Sequence, residues 1–398
     1  MKISAIISEY NPFHNGHAYH ADTTRRETEA DYVLSIMSGN FVQRGEPAVL
    51  NKYDRAEMAL SGIDAVFELP AVYAISNAGD FAKGAVSILD AMGCIDFLSF
   101  GVETDDINVF NRVCDILTAE PESFKSSLRD HMKDGLSYPA ARDLALRDVL
   151  GDSVSGITSS PNNILAIEYM CALRCLDSKI RPHLIKRLGS YHDNGKPETG
   201  FLGASSIRKM ILAKTDISDH VPDQSLIKLN RSRCITDNSV MDTLLNLRLS
   251  EITDKTSIHE LSPDMLNRLK GISLPVSFDE AAAILKTRNI TYTRSSRALI
   301  NLIIGISSTD FDRITVSGYA HYANLIAFRR QSSPLIKAVQ DTSGIPIINK
   351  KSDYHPVNES ESLSWYYDCK STDIYNMLYY SLSGIKKPSE LSSNIKII

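Results

Sequence analysis

The feature of the sequence that most constrains the fold is the alternation of short apolar runs with helical patterns in the first hundred residues. The apolar runs are residues 3–8, 32–37, 65–69 and 97–101, and the helical patterns between them are residues 17–27, 52–61 and 78–92. Strands that alternate with helices of this length form βαβ units, and hence a parallel sheet with helices on both faces. We predict an α/β fold with a Rossmann-like sheet, whose ligands bind beyond the carboxyl ends of the strands.

The alternation continues for about 210 residues and then changes. The later elements of the first half are a helix at residues 160–172, a last strand at 183–188 and a helix at 207–213. Further along the chain strand patterns are scarce, and helical spacing occurs at residues 241–249, 279–286, 297–304 and 319–329. The 398 residues suit two domains of about 100 to 200 residues each. We expect an α/β domain at residues 1–215 and a mostly helical domain at residues 216–398.

Composition is that of an ordinary globular protein, with 43% hydrophobic and 23% charged residues. No apolar run approaches the roughly 20 residues that a membrane span needs, and the first residues do not resemble a cleaved leader. The six cysteines are scattered and show no second pair at zinc-ligand spacing. We expect a cytoplasmic protein with reduced thiols, no structural metal and no membrane contact.

Residues with chemical potential concentrate in the turn after the first predicted strand. The stretch Asn11-Pro12-Phe13-His14-Asn15-Gly16-His17 lies directly between that strand and a helix. The free N–H groups and the positive dipole end of a helix start bind anions such as nucleotide phosphates. Gly16 lets the backbone approach the anion, and His14 and His17 can direct two imidazole N–H donors at one phosphate. The alternative is a turn that carries two surface histidines.

A second helix start with unusual charge follows the last predicted strand of the first half. In Gly203-Ala204-Ser205-Ser206-Ile207-Arg208-Lys209 a small-residue turn with serines precedes a cation in the first helical turn. That cation opposes the preference of helix starts for acidic side chains, and a bound anion would compensate for it. The alternative is that Ser205 or Ser206 is an N-cap and Arg208 is solvated.

Together the two motifs resemble the HxGH nucleotidyltransferase superfamily, in which both surround one ATP. A closer resemblance is to the bacterial tRNA(Met) cytidine acetate ligases. The segments that carry it are residues 8–17, 37–48, 160–165, 185–187 with 191–193, and 204–208. They follow one another in order, so the resemblance covers most of the first half of the chain. Val102 and Ser205 depart from the family pattern, in which a small polar residue and threonine are expected.

The resemblance implies an ATP-dependent ligase that forms acetyl-adenylate from free acetate. It then transfers the acetyl group to N4 of the wobble cytidine of elongator tRNA(Met). His14, His17 and Arg208 are the implied catalytic residues. The implied ATP-binding residues are Ile7, Ser8, Glu9, Tyr10, Asn11, Pro12, Phe13, His14, Asn15, Gly16, His17, Ala18, Tyr19, His20, Gly101, Asn162, Arg187, Ser205 and Ser206.

Acetate is an anion at neutral pH, so its attack on a phosphate needs charge neutralisation rather than a general base. We expect His14, His17, the helix start and Arg187 or Arg208 to supply it. We expect Mg²⁺ to bridge the phosphates, but no cage of carboxylates is visible in the sequence and we assign no metal ligands.

The second half carries a weaker indication of an RNA partner. Residues 1–199 have a net charge of −9 and residues 200–398 one of +4, which permits a polyanion partner for the second half. Tyr292-Thr293-Arg294-Ser295-Ser296-Arg297 resembles a basic segment of the family, and Arg294 and Arg297 are the predicted tRNA contacts. The alternative is a solvated helix start.

Two other functions fit the same first domain. One is a small-molecule adenylyltransferase that makes a nucleotide cofactor, and the other is a non-catalytic, nucleotide-regulated RNA-binding protein. The long second half of opposite charge disfavours the first, because a compact transferase does not need it. The intact pair of His14 and His17 disfavours the second. The oligomeric state stays open.

Overall fold

A computed structural model describes residues 1–158, 160–187 and 201–398. The predicted segment 191–193 and residue Leu188 of the predicted last strand lie outside these residues. The strands described are β1 (Ile3–Ser8), β2 (Tyr32–Ser38), β3 (Phe41–Val42), β4 (Glu46–Pro47), β5 (Ala65–Leu69), β6 (Phe97–Val102), β7 (Arg181–Lys186), β8 (Ala323–Phe328), β9 (Ile347–Ile348) and β10 (Lys396–Ile397).

The helices described fall into two groups, before and after residues 188–200. The first group is α1 (Asn15–Thr28), α2 (Lys52–Ala59), α3 (Ala71–Ala74), α4 (Ala78–Ala91), α5 (Ile107–Ala119), α6 (Glu122–Lys133), α7 (Tyr138–Leu150) and α8 (Pro161–Cys175). The second group is α9 (Ala204–Leu212), α10 (Asp223–Arg231), α11 (Asp242–Ser250), α12 (Pro263–Lys270), α13 (Phe278–Leu285), α14 (Tyr292–Ile304), α15 (Ser308–Thr315), α16 (Ser333–Thr342) and α17 (Glu359–Ser383).

One mostly parallel sheet organises the molecule. Its strand order is β10-β8-β5-β2-β1-β6-β7, and β9 pairs with β8. Strands β1, β2, β5, β6 and β7 run parallel to one another, and Ser8 at the end of β1 lies beside Met37 of β2. The predicted α/β fold with a parallel sheet is confirmed, and the loops that follow β1 and β2 leave the sheet at the same edge.

Both faces of this sheet are covered, which explains why its strands are apolar along their whole length. Leu34 and Ile36 of β2 join a core that includes residues of α4 and α8. Val33 and Met37 of the same strand point the other way, into a core with residues of α1 and α2. Helix α1 therefore lies flat on one face of the sheet, with its amino terminus at the edge where the loops emerge.

Strands from the second half extend the sheet that the first half begins. β8 pairs antiparallel with β5, and β10 and β9 pair parallel with β8. The prediction of a helix at residues 319–329 is wrong, because β8 occupies Ala323–Phe328. Five of its six residues are buried, so its sequence lacks the polar alternation that distinguishes a strand from a short buried helix. The division of the chain at residue 215 stays a prediction.

A buried ionic cluster joins the two halves beneath the sheet edge. The ammonium group of Lys52 lies 2.6 Å from a carboxylate oxygen of Glu68 and 2.7 Å from one of Glu390. Asn324 of β8 donates its side-chain amide to Glu68 over 2.8 Å. Burial alone would lower the pKa of Lys52, but Glu390 and Glu68 hold it well above its usual range. Glu390 and β8 are thus joined to α2 and β5 through this cluster, in which loss of one partner would leave an uncompensated buried charge.

Among the described residues, no helix combines the length and apolar character that crossing a bilayer requires.

Candidate active site

The first turn of α1 holds His14 and His17 side by side. His14 is the N-cap, and its Nδ1 accepts a hydrogen bond from the main-chain N–H of Gly16 over 3.1 Å. The Nδ1 of His17 accepts from the main-chain N–H of His14 over 3.3 Å. This reciprocal pattern is a capping box, here formed by two imidazoles. The ring centroids are stacked 3.7 Å apart, so the two rings share one location at the helix start.

The capping bonds determine which nitrogen of each ring carries the proton. Because both Nδ1 atoms accept main-chain N–H groups, the neutral rings carry hydrogen on Nε2 and present it as a donor. Burial, reinforced by Arg187 and Arg208, lowers the pKa of His14 to about 3. Burial and the neighbouring His14, His20 and Arg187 hold the pKa of His17 well below its usual range. Both imidazoles are therefore neutral near pH 7, and each presents an Nε2–H that can donate to an anion.

Gly16 is required by the ring of His14 as well as by any ligand. A Cβ atom at Gly16 would lie 2.9 Å from Cε1 of His14 and 3.3 Å from Cβ of Phe201. Both separations are shorter than ordinary carbon contacts, so a side chain here would displace the capping ring. The phenyl ring of Phe201 also packs against Tyr19 of α1 at 5.5 Å.

Arg208 on α9 reaches the same turn from the other side. Its Nη1 donates to the main-chain oxygen of Asn11 over 3.1 Å, and its Nη2 lies 2.5 Å from Oε1 of Glu46. Nη2 also donates to the hydroxyl of Ser205 over 3.4 Å. The N-cap of α9 is Gly203, so the idea that Ser205 or Ser206 caps this helix is wrong. Ser205 instead contacts the arginine, and Ser206 lies in the first turn of α9.

Gly101, Asn162 and Arg187 meet beyond the ends of β6 and β7. The main-chain N–H of Arg187 donates to the oxygen of Val102 over 2.9 Å, and its Nη1 donates to Oδ1 of Asn162 over 3.5 Å. A Cβ atom at Gly101 would lie 3.2 Å from Cγ of Arg187, so glycine leaves the arginine room to cross the strand end. The field of Arg187 on His14, His17 and His20 places this cation near the helix start.

The remaining predicted ATP-binding residues lie along β1, the turn and α1, in different settings. Ile7 and Ser8 end β1, and Ala18 and Tyr19 lie in α1. The carboxylate of Glu9 accepts from the main-chain N–H of Gln43 over 2.8 Å, and the rings of Tyr10 and Phe13 pack at 4.9 Å in the core. The side chain of Asn15 donates to the main-chain oxygen of Asp219 over 2.9 Å. Nε2 of His20 lies 3.2 Å from the hydroxyl of Ser99. Pro12 and Asn11 form the turn itself.

The two predicted RNA-contacting arginines occupy different environments. Arg294 is exposed in the first turn of α14. The side chain of Arg297 is 11% exposed, pairs with Glu260 over 3.3 Å and donates to the main-chain oxygen of Gln43 over 3.4 Å. It therefore fastens α14 to the hairpin of β3 and β4.

Sequence reasoning did not identify three partners of the site. Glu46 pairs with Arg208, and Glu103 accepts from the side chains of Asn162 over 2.5 Å and Ser160 over 2.8 Å. Arg55 donates to main-chain oxygens beneath the turn. Except for the bond between Arg55 and Leu50, these contacts join residues that are distant in sequence, so local spacing could not have shown them. Within the described ranges, no group of three or more His, Cys, Asp or Glu side chains is placed to hold a metal ion.

The fold and this site define the class of protein. A model of the family described as HIGH Nucleotidyl Transferase matches residues 1–389.

The relatives narrow the class to one family. The chain is 35% identical over 420 residues to the tRNA(Met) cytidine acetate ligase of Acetivibrio thermocellus, with 100% of both chains covered. It is 36% identical over 392 residues to the protein of the same name from a Thermoanaerobacter species, which covers 96% of this chain and 97% of the relative. The chain belongs to the tRNA(Met) cytidine acetate ligase family.

Solved structures agree with this assignment. The crystal structure of apo Thermotoga maritima TmcAL matches with a TM-score of 0.91 at 29% identity, over 100% of this chain and 99% of that chain. The crystal structure of TmcAL bound with alpha-thio ATP matches with a TM-score of 0.86 at 30% identity, over 95% of each chain.

The depressed pKa of His14 predicts a dependence of stability on pH. The unfolded chain binds this proton near the ordinary pKa of 6.5 and the folded chain only near 3, so the stabilisation is complete above pH 6.5 and decreases as the pH falls toward 3. Between pH 7 and pH 5, wild type should lose about 2 kcal/mol more of its unfolding free energy than His14→Asn. Urea titrations of both proteins at each pH measure the unfolding free energy. An equal change in the two proteins between pH 7 and pH 5 would contradict the prediction.

Proposed function

We propose that this protein is an ATP-dependent acetate ligase that acetylates N4 of the wobble cytidine of elongator tRNA(Met) through acetyl-adenylate. The relatives named above are called tRNA(Met) cytidine acetate ligases, and one solved neighbour is bound with alpha-thio ATP, which supports the proposal. The observation that carries the proposal is the stacked, neutral pair of His14 and His17 at the start of α1, with Arg208 bonded to the same turn.

In the first step a carboxylate oxygen of acetate attacks the α-phosphorus of ATP. An oxygen–phosphorus bond forms, the bond to the bridging oxygen breaks, and pyrophosphate leaves with that electron pair. The positive charge that offsets the meeting of two anions comes from Arg187 and Arg208, while the Nε2–H groups of His14 and His17 donate to the phosphate oxygens. Because the imidazoles are neutral, they stabilise developing charge without adding a proton to the leaving group.

In the second step N4 of the cytidine attacks the acetyl carbonyl of the mixed anhydride. A carbon–nitrogen bond forms, AMP leaves with the electron pair of the broken carbon–oxygen bond, and the proton that N4 loses passes to the departing phosphate or to water. A wobble base belongs to a single-stranded loop, so it can leave the stack and occupy a pocket. Arg294 is exposed at the start of α14, the helix that contacts the β3–β4 hairpin through Arg297. Arg294 is the proposed contact to an RNA phosphate.

Mg²⁺ is proposed as a companion of the triphosphate. The carboxylates nearest the site already have partners, since Glu46 pairs with Arg208 and Glu103 accepts from Asn162 and Ser160. Mg²⁺ is commonly held by phosphates and water with few protein carboxylates, so these residues fit an ion bound mainly through the nucleotide. When bound, it would neutralise phosphate charge alongside the arginines.

Replacing either histidine by asparagine tests the assigned donors. Asparagine is a strong N-cap, so His14→Asn preserves the helix start while it removes the Nε2–H donor. Acetate-dependent exchange of pyrophosphate into ATP should fall by about 10²- to 10³-fold in His14→Asn and in His17→Asn. The control is His131→Asn, at a surface histidine paired with Asp148 on α7. Unchanged exchange in both site variants would exclude the proposed role.

The substrate that pyrophosphate exchange requires distinguishes the ligase from the two other candidate functions. Exchange that requires acetate but not tRNA supports the ligase, whereas exchange that requires a phosphorylated metabolite supports the cofactor-forming adenylyltransferase. Wild-type protein that exchanges no pyrophosphate and makes no acetylated cytidine from ATP, labelled acetate and bulk tRNA would support the non-catalytic RNA-binding protein.

Replacing Arg294 by alanine tests the RNA contact. Loss of one phosphate contact should weaken tRNA binding and reduce the slope of log affinity against log salt by about 1, without changing acetate-dependent exchange. Filter binding at several salt concentrations measures both quantities. Arg26→Ala is the matched control, because Arg26 is an exposed arginine at the far end of α1. An unchanged slope in Arg294→Ala would remove this residue from the interface.

A further inference from the structure

Arg55 on α2 is a fully buried arginine without a role in the steps above. Its exposed fraction is 0%, and it is among the largest fully buried side chains of the protein. Its Nε donates to the main-chain oxygen of Leu50 over 3.0 Å, and its Nη2 donates to that of Ser38 over 3.0 Å. The two terminal nitrogens also donate to the main-chain oxygens of Glu9 and Gly39. One guanidinium therefore binds four carbonyl groups.

These carbonyls belong to the two loops that build the phosphate site. Glu9 follows the last residue of β1, and Ser38 is the last residue of β2. The first loop continues to Asn11 and His14, and the second continues to the hairpin that carries Glu46. Because Arg208 bonds to both Asn11 and Glu46, its placement depends on the relative position of the two loops.

The charge of Arg55 has no carboxylate partner in the described part of the chain. The ion pairs found there within 4.0 Å include none with Arg55, so its direct partners are main-chain carbonyls, and the carboxylates of Glu9 and Glu68 favour the cation only through their longer-range field. Burial lowers its pKa to about 10, which leaves it protonated at neutral pH. A buried charge is costly, and a packing role alone would be met by an apolar side chain. Only the planar fork of arginine can bind these four acceptors at once.

We infer that Arg55 is a positioning residue of the nucleotide site, which holds the loops after β1 and β2 together and thereby sets the distance between His14 and Arg208. This role presupposes the proposed acetate ligase activity. It adds a requirement for a guanidinium at residue 55, beneath the loops and out of contact with any substrate.

The test compares Arg55→Lys with Arg329→Lys. Arg329 is the control, because it is a partly buried arginine, 22% exposed, that donates to the main-chain oxygen of Leu60 over 2.6 Å and pairs with Asp64 over 3.7 Å. Each variant is measured for urea unfolding, for ATP affinity by calorimetry and for the kcat of acetate-dependent pyrophosphate exchange. A displacement of about 1 Å in a site commonly lowers rate by about 10²-fold.

We expect Arg55→Lys to lose about 10²-fold in kcat with less than about fivefold change in ATP affinity, while Arg329→Lys keeps the wild-type kcat at a comparable loss of stability. An unaltered kcat in Arg55→Lys, or an equal loss in Arg329→Lys, would overturn the inference. Absence of acetate-dependent exchange in wild type would instead overturn the proposed function.

Chemical rescue covers the case in which Arg55→Lys does not fold. The Arg55→Ala variant is refolded with and without methylguanidinium, which restores the planar fork without a covalent link. Recovery of kcat together with folding supports the inference. Recovery of the urea midpoint without recovery of kcat contradicts it, because the guanidinium would then stabilise the fold without restoring the site.

Discussion

The site depends on one interaction, the reciprocal capping of α1 by the imidazoles of His14 and His17. Each Nδ1 accepts a main-chain N–H, which directs each Nε2–H away from the helix and toward the space beyond the sheet edge. The same bonds satisfy N–H groups that a helix start otherwise leaves free. Burial keeps both rings neutral, so the donors keep one tautomer across the physiological range. The helix start thus combines fixed donors with its own positive dipole.

Charge and direction are therefore supplied by different residues. In the proposed mechanism the histidines orient the phosphates, and Arg187, bonded to Asn162, and Arg208, bonded to Asn11, provide positive charge. Arg208 contacts the turn after β1 because α9 lies beside that turn. Its partner Glu46 lies on a hairpin that packs against α14. Beneath this edge the cluster of Lys52, Glu68 and Glu390 fixes α2 and β5 to the end of the chain. The second half consequently supports the nucleotide site as well as extending the sheet.

The sequence was sufficient for the parts of the fold that depend on local pattern. Strands β1, β2, β5 and β6 begin where the apolar runs predicted them, and the motif of His14 and His17 lies at the helix start as expected. β8 was mistaken for a helix, because a strand buried on both faces shows neither period. The roles of Glu46, Glu103 and Arg55 could not be predicted, since their partners are set by tertiary packing. The capping by Nδ1 was equally hidden, because spacing alone does not tell a donor from an acceptor.

The most direct measurement of the central claim is a crystal structure of the wild-type protein with a non-cleavable ATP analogue. The account predicts phosphate oxygens about 2.7 to 3.1 Å from Nε2 of His14 and of His17, with both Nδ1 atoms still bonded to the main chain. It also predicts Arg187 and Arg208 against the triphosphate. A complex in which the triphosphate avoids both rings, or in which the rings turn so that Nδ1 faces the phosphates, would contradict the account.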